Sequence, residues 1–166
     1  MNNNLIKLFA TDVDGVLTDA GMYYTEKGDE LKKFNTHDGM GIHLIKNDGI
    51  KTAILTSENT KIVENRAKKL KIDYVFQGVK NKLKTMLDLC KKLDIEINNV
   101  AYIGDDINDL ELLKAAGVKA CPNDAVDKIK NIENIHILSK NGGYGAVREF
   151  CDMIIDINDR KGENND

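Results

Sequence analysis

Short apolar runs alternate along the chain with segments in which apolar residues recur every three or four positions. The runs predict strands at Ile6–Ala10, Thr52–Leu55, Tyr74–Phe76, Val100–Ile103, Val118–Ala120 and Ile135–Ile137. The recurring spacing predicts helices at Gly39–Asn47, Asn59–Leu70, Leu83–Leu93, Asp109–Ala116 and Gly145–Ile157. Strands that alternate with helices indicate an α/β fold, in which right-handed crossovers build a parallel sheet with helices on both faces.

One segment interrupts this alternation. Residues 21–35 predict a small hairpin of two short strands about a turn at Glu26–Asp29. Because the hairpin directly follows the first strand, we expect it to overhang the C-terminal end of that strand, either as a flap over a site or as a plain surface hairpin. No linker divides the chain, so we expect one domain over residues 1–158 and a polar, disordered tail at 159–166.

Composition narrows the classes of function. The chain has 166 residues, with 42% hydrophobic and 31% charged residues and a net charge of −3, and it shows no basic stripe that would indicate a nucleic-acid partner. No apolar run approaches the roughly 20 residues needed to span a membrane. The polar N-terminus does not resemble a signal peptide, and the three cysteines form no CxxC pair. We therefore expect a cytoplasmic protein whose cysteines are reduced and packed in the core.

Reactive side chains follow four of the predicted strands, and ligands of parallel sheets bind outside the C-terminal ends of the strands. The side chains, in chain order, are Asp12 and Asp14, then Thr56 and Ser57, then Lys82, then Asp105, Asp106 and Asp109. Gly15 allows a tight turn directly after the first pair. Each residue alone has an ordinary explanation, such as capping a helix. Their order at successive strand ends predicts one common site.

The types of residue in this set match the needs of phosphoryl transfer. A phosphate monoester carries about two negative charges near neutral pH, so we expect Mg²⁺ to be bound by Asp12, Asp105 and the backbone carbonyl of Asp14. Lys82 would neutralise phosphoryl charge, and the Thr56 hydroxyl would donate a hydrogen bond. Asp12 would attack phosphorus and form an aspartyl-phosphate. Asp14 would protonate the leaving oxygen and later deprotonate the attacking water.

These residues resemble the motifs of the haloacid dehalogenase superfamily of phosphatases. The match narrows to the group that acts on 3-deoxy-D-manno-octulosonate 8-phosphate (KDO 8-phosphate) and its relatives acting on nonulosonate (KDN or sialic acid) 9-phosphates. The segments that carry it are TDVDGVLTDAGMYY, KKFNTHDGMGI, ILTSEN, VFQGVKNKL, AYIGDDINDLELL and NGGYGAVREF, and the resemblance covers residues 7–155. It implies a Rossmann-like core, Mg²⁺, a phosphoenzyme on Asp12, acid–base catalysis by Asp14 and a homotetramer.

The intervals between the motifs leave no room for the cap domain that many superfamily members carry. In the group that this chain resembles, the flap of a neighbouring subunit closes the open site. The resemblance therefore implies that Tyr23, Tyr24 and Lys27 lie near a subunit interface. We also expect His37, which lies beside Asp38 near the flap, to be a candidate for lining the site.

Two positions depart from the pattern of the octulosonate phosphatases. Ser57 stands where glycine usually follows the motif threonine, and Glu58 stands where arginine is common. Glutamate there, together with Arg66 and Lys69 on the following helix, resembles the nonulosonate 9-phosphate relatives and favours that substrate. The alternative is that these three residues are solvated surface charges.

Two other classes remain as alternatives. A phosphoacceptor receiver domain also uses an acid pair, an acceptor aspartate, a threonine and a lysine on a parallel sheet. Receivers place the acid pair first, whereas here Asp105 and Asp106 come last, after Thr56 and Lys82. The third possibility, a non-catalytic binding module of the same fold, is disfavoured because every expected motif residue is present.

Overall fold

The computed structural model describes residues 5–28 and 30–163, and its main feature is a six-stranded parallel sheet. Its strands are β1 (Leu8–Thr11), β4 (Lys51–Leu55), β5 (Tyr74–Phe76), β6 (Val100–Ile103), β7 (Val118–Cys121) and β8 (His136–Ile137). They lie in the order β5-β4-β1-β6-β7-β8, and every neighbouring pair is parallel. The predicted α/β class is confirmed.

Helices connect the strands and cover both faces of the sheet. They are α1 (Thr36–Asn47), α2 (Lys61–Leu70), α3 (Lys82–Leu93), α4 (Leu110–Ala115), α5 (Asp127–Lys130) and α6 (Ala146–Glu163). The sequence pattern did not predict α5, because four residues are too few to show a helical period. Within the described ranges, no helix has both the length and the apolar character that crossing a membrane requires.

The central strand β1 is buried on both faces because successive side chains point to opposite sides of a strand. Phe9 packs on one face with residues of α1, α2 and α6, and its ring centroid lies 6.1 Å from that of Phe150. Leu8 and Ala10 pack on the other face with residues of α3 and α4. This double burial fixes β1 in the middle of the sheet and holds the residues that follow it in place.

The predicted hairpin is present as two short antiparallel strands, β2 (Tyr23–Tyr24) and β3 (Glu30–Leu31). One residue of its predicted turn, Asp29, lies outside the described residues. Both strands are largely exposed, and an isolated bridge between Thr18 and Phe34 closes the base of the hairpin. We call residues 21–35 the flap.

The C-terminal boundary differs from the predicted one. The helix α6 continues to Glu163, through five residues that were expected to be disordered, and residues 164–166 lie outside the described part of the chain. The side chain of Asn158 exchanges hydrogen bonds with the backbone of Ile6, 2.9 Å each way, which anchors the helix near the start of the predicted tail. Basic residues in its last turn also suit the negative end of the helix dipole.

Candidate active site

Three neighbouring strands end side by side at one edge of the sheet. Thr11, the last residue of β1, pairs with Ile54 of β4 and with Ile103 of β6. The order of the strands reverses at β1, and such a switch point is where ligands bind in open α/β sheets. A cleft of about 250 Å³ opens there, lined by Asp12, Asp14, Ala20, Thr56, Ser57, Glu58, Asp105, Asp106 and Asn108. The structure thus brings together residues that the sequence placed at separate strand ends.

Asp12 is buried and is held by two donors. The Nζ atom of Lys82 lies 2.9 Å from Oδ1 of Asp12, and the backbone amide of Val13 donates to the same oxygen at 2.7 Å. Among the described residues both donors reach Oδ1, which leaves Oδ2 for another ligand. Burial and the charge of Asp109 raise the pKa of Asp12 well above its usual value, against the opposing effect of Lys82.

Lys82 is the first residue of α3 and reaches the site from beneath Asp12. Its Nζ also lies 2.7 Å from Oδ1 of Asp109, so two buried carboxylates share one ammonium group. Burial alone would lower the pKa of Lys82, but Asp12 and Asp109 raise it above its usual value. The lysine therefore stays charged and supplies fixed positive charge in the interior.

Asp109 organises the base of the site. Its Oδ1 accepts hydrogen bonds from Lys82 at 2.7 Å and from the hydroxyl of Tyr102 at 2.5 Å. Its Oδ2 accepts from the backbone amides of Asp105 at 3.0 Å and Asp106 at 3.3 Å. Both oxygens are occupied, so Asp109 fixes the loop that carries Asp105 instead of offering a free oxygen to the cleft.

Asp105 is the second candidate for binding a cation. One carboxylate oxygen each of Asp12, Asp105 and Asp109 lie within 4.8 Å of one another. Burial and the charges of Asp109 and Asp106 raise the pKa of Asp105 to about 7. Because Asp109 is saturated by protein donors, Asp12 and Asp105 are the carboxylates that remain for a metal ion. Carboxylates that lie this close together repel one another when they are ionised, and a hard divalent cation between them removes that repulsion. The residues present therefore fit Mg²⁺, which prefers oxygen ligands.

The turn after β4 supplies neutral donors. The hydroxyl oxygen of Thr56 accepts a hydrogen bond from the amide of Glu58 at 3.2 Å, so its own hydrogen can point elsewhere. The side-chain amide of Asn108 donates to the Ser57 hydroxyl at 3.2 Å, joining this turn to the loop after β6. Sequence reasoning missed Asn108, although it stands between the acidic residues of the fourth motif.

The flap contributes a residue that the sequence did not reveal. Lys32 has a side chain that is 1% exposed, and its Nζ lies 2.7 Å from Oδ1 of Asp14 and 3.0 Å from Oε1 of Glu30. Burial alone would lower the pKa of Lys32, but the two carboxylates raise it. The only available signal was its place within the hairpin that was predicted to overhang the site.

The residues suggested for substrate binding are distributed differently. Glu58 lines the cleft. Arg66 instead supports the base of the flap, where it donates to the carbonyl of Asn35 at 3.1 Å and lies over the ring of Phe34. Lys69 and His37 each line another depression. On the exposed flap, the hydroxyl of Tyr23 donates to Asp19, and Lys27 lies in the turn. For these residues a role in binding substrate stays a prediction.

Comparisons with known proteins show which family the chain resembles. Residues 39–117 match the family described as haloacid dehalogenase-like hydrolase. The chain is 40% identical over 150 residues to the 3-deoxy-D-manno-octulosonate 8-phosphate phosphatase KdsC of Escherichia coli, spanning 90% of this chain and 79% of that protein. It is 39% identical to the enzyme of the same name from Haemophilus influenzae, over 90% of this chain and 83% of the relative.

Solved structures show the same fold. The phosphatase of the same name from Moraxella catarrhalis, in complex with magnesium ion, phosphate ion and KDO, superposes with a TM-score of 0.90 at 38% identity over 97% of this chain and 92% of that chain. The cobalt-bound form of the phosphatase from Haemophilus influenzae superposes with a TM-score of 0.88 at 36% identity, over 97% of this chain and 94% of that chain.

Proposed function

The chain belongs to the haloacid dehalogenase-like hydrolases, in the family of the 3-deoxy-D-manno-octulosonate 8-phosphate phosphatases, and from this premise we propose that it hydrolyses the phosphomonoester of a 2-keto-3-deoxy sugar acid with Mg²⁺. The observation that carries the proposal is the convergence of Asp12, Asp14, Thr56 and Asp105 on one cleft. Membership of this family of enzymes argues against both the receiver domain and the non-catalytic module.

In the first half of the reaction, Asp12 is the nucleophile. Lys82 and the amide of Val13 hold its Oδ1, so Oδ2 is the oxygen that attacks phosphorus. As the bond from Oδ2 to phosphorus forms, the bond from phosphorus to the sugar oxygen breaks, and Asp14 donates a proton to that oxygen. The hydroxyl of Thr56, whose oxygen accepts from the amide of Glu58, would donate its hydrogen to a phosphoryl oxygen.

The second half releases phosphate. Asp14, now ionised, accepts a proton from water as the water oxygen attacks phosphorus. The bond to Oδ2 breaks, and inorganic phosphate leaves with Asp12 restored as a carboxylate. Asp12 and Asp105, with the backbone carbonyl of Asp14, would hold Mg²⁺, which when bound neutralises phosphoryl charge. Asp106 and Asp109 support the loop that presents Asp105.

Two substrates are candidates. KDO 8-phosphate comes first, because it is the substrate named in the relatives that are about 40% identical to this chain. A nonulosonate 9-phosphate comes second, because Glu58 lines the cleft at the position where octulosonate phosphatases commonly have arginine. The case for the second candidate is weakened because Arg66 lies beneath the flap and Lys69 lines a different depression.

The test is release of inorganic phosphate from both compounds in the presence of Mg²⁺. The ratio of their kcat/KM values identifies the preferred substrate. The Glu58→Arg variant would shift this ratio toward the 8-phosphate if Glu58 selects the longer acid. Failure to hydrolyse either compound, in a protein that hydrolyses other phosphate esters, would contradict the proposed substrate class.

The same proposal includes assembly. The flap exposes large apolar side chains that one protomer leaves uncovered, namely Met22, Tyr23, Tyr24 and Leu31. Burial of such a surface in a homotetramer would place Tyr23, Tyr24 and Lys27 at an interface. A stable, fully active monomer in gel filtration would contradict this.

A cytoplasmic location, which the sequence predicts, is likewise a proposal that cell fractionation would test.

A further inference from the structure

Lys32 occupies an unusual position for a lysine on an exposed hairpin. The strands of the flap are largely exposed, yet the side chain of Lys32 is only 1% exposed. Its ammonium group lies between the carboxylates of Asp14 and Glu30, at 2.7 Å and 3.0 Å. Lysine is rarely buried unless it is paired. The contact therefore ties the end of the flap to a residue of the cleft that is 18 positions earlier in the chain.

We propose that Lys32 is a positioning residue for Asp14, an inference that rests on the proposed function, in which Asp14 transfers protons. Within residues 5–28 and 30–163, the ammonium group of Lys32 is the one side-chain donor that reaches the Asp14 carboxylate, and it binds Oδ1. This leaves Oδ2 to exchange a proton with the leaving oxygen and then with water. The Asp14 side chain is 30% exposed, so without this contact its carboxylate is free to rotate in the cleft.

The same contact links the flap to catalysis. Glu30 and Asp14 both lie within ion-pair distance of one ammonium group, so its removal leaves two carboxylates close together with no cation between them. Like charges at this separation repel, which would move the flap away from the cleft. Lys32 thus couples the position of the flap to the orientation of the acid–base residue.

Single-turnover kinetics test the role in proton transfer, with enzyme in excess over p-nitrophenyl phosphate and with Mg²⁺ present. p-Nitrophenolate leaves without a proton donor, so transfer of the phosphoryl group to Asp12 does not need Asp14. Attack of water on the phosphoenzyme does need it. In Lys32→Met, we expect phosphate release to slow by about 10- to 100-fold while p-nitrophenolate release changes by less than about 3-fold. In Lys32→Arg, we expect the rate of phosphate release to be partly restored, because arginine keeps the positive charge.

Lys33→Met is the matched control. Lys33 is the next residue of the same flap, is 44% exposed and lies over the ring of Tyr144. We expect both rates to stay close to those of the wild type. Equal slowing of both steps in Lys32→Met, or an unchanged rate of phosphate release, would overturn the positioning role.

A second measurement does not depend on activity. Hydrogen exchange of the backbone amides of residues 30–34 should become faster in Lys32→Met and in Asp14→Asn, and should not change in Lys33→Met. Unchanged exchange in the first two variants would overturn the proposal. If the wild type releases phosphate neither from p-nitrophenyl phosphate nor from the two sugar-acid phosphates, the proposed function fails, while hydrogen exchange still decides whether Lys32 ties the flap to Asp14.

Discussion

The carboxylate of Asp105 packs against the backbone of Gly15, in the space that a side chain at position 15 would fill. A Cβ atom built on Gly15 would lie 2.7 Å from Cγ of Asp105. Gly15 also has a φ angle of +79°, which residues other than glycine rarely adopt. The glycine therefore serves two purposes: it turns the chain after Asp14, and it lets the carboxylate of Asp105 approach the turn that follows β1.

Gly15→Ala should therefore displace Asp105. We expect a loss of roughly 1–3 kcal/mol of stability from the strained backbone and, in addition, weaker binding of Mg²⁺. Gly49→Ala is the control, because Gly49 has φ +78° and a Cβ atom added there would meet nothing within 4 Å. Thermal unfolding with and without Mg²⁺ separates the two effects. An equal Mg²⁺-induced stabilisation in both variants would contradict the steric argument.

Lys82→Met should be strongly destabilising as well as inactive. The substitution leaves Asp12 and Asp109 without their shared cation in the interior, and removing one partner of a buried ion pair costs about 3–5 kcal/mol. Lys84→Met is the control: Lys84 is 73% exposed and pairs with Asp88 on the helix surface, where the expected loss is about 0–1 kcal/mol. Urea unfolding measures both. Similar losses in the two variants would show that the Lys82 cluster does not stabilise the fold.

The binding of Mg²⁺ should strengthen as pH rises toward neutrality. Asp105 has a pKa raised to about 7, so a proton competes with a cation for this carboxylate below that value. Titrations of the metal at several pH values should show affinity that increases up to about pH 7 and then levels off. The Asp105→Asn variant should lose this part of the dependence. Affinity that is constant over the range would contradict the role of Asp105.

In the metal-free protein, the stability should fall as pH rises, whereas the affinity for Mg²⁺ should increase. The folded protein binds a proton at Asp105 more tightly than the unfolded chain does, because its folded pKa is raised above the ordinary 3.8. This residue therefore lowers the free energy of unfolding as pH rises from about 4 to about 7. Urea unfolding of the metal-free protein should show a smaller decrease over this range in Asp105→Asn. An identical decrease in both proteins would contradict the raised pKa.

The sequence revealed the part of the site that depends on topology. In a parallel sheet, residues after successive strands gather at one edge, so the positions of Asp12, Thr56 and Asp105 followed from the order of the strands. Lys82 followed in the same way, as a charge at the start of the next helix. The depth of its burial between Asp12 and Asp109 did not follow, because a lysine at the start of a helix is usually solvated.

The remaining contacts depend on packing that no local pattern encodes. Tyr102 lies in a buried strand and contributed only to the apolar pattern, although its hydroxyl binds Asp109. Lys32 reaches Asp14 from the position after a two-residue hairpin strand, and the alternation of so short a strand cannot indicate which side chains point inward. Both residues share one property: the polar end of each side chain binds a carboxylate of the site.

The central claim is that Asp12 is the nucleophile, and trapping the phosphoenzyme tests it most directly. The protein is mixed with Mg²⁺ and KDO 8-phosphate, quenched in acid within the first turnover, and digested for mass spectrometry. We predict one phosphoryl group on the peptide that contains Asp12, and neither this adduct nor phosphate release above background in Asp12→Asn. Turnover of Asp12→Asn at the wild-type rate, or an adduct on another residue, would contradict the account.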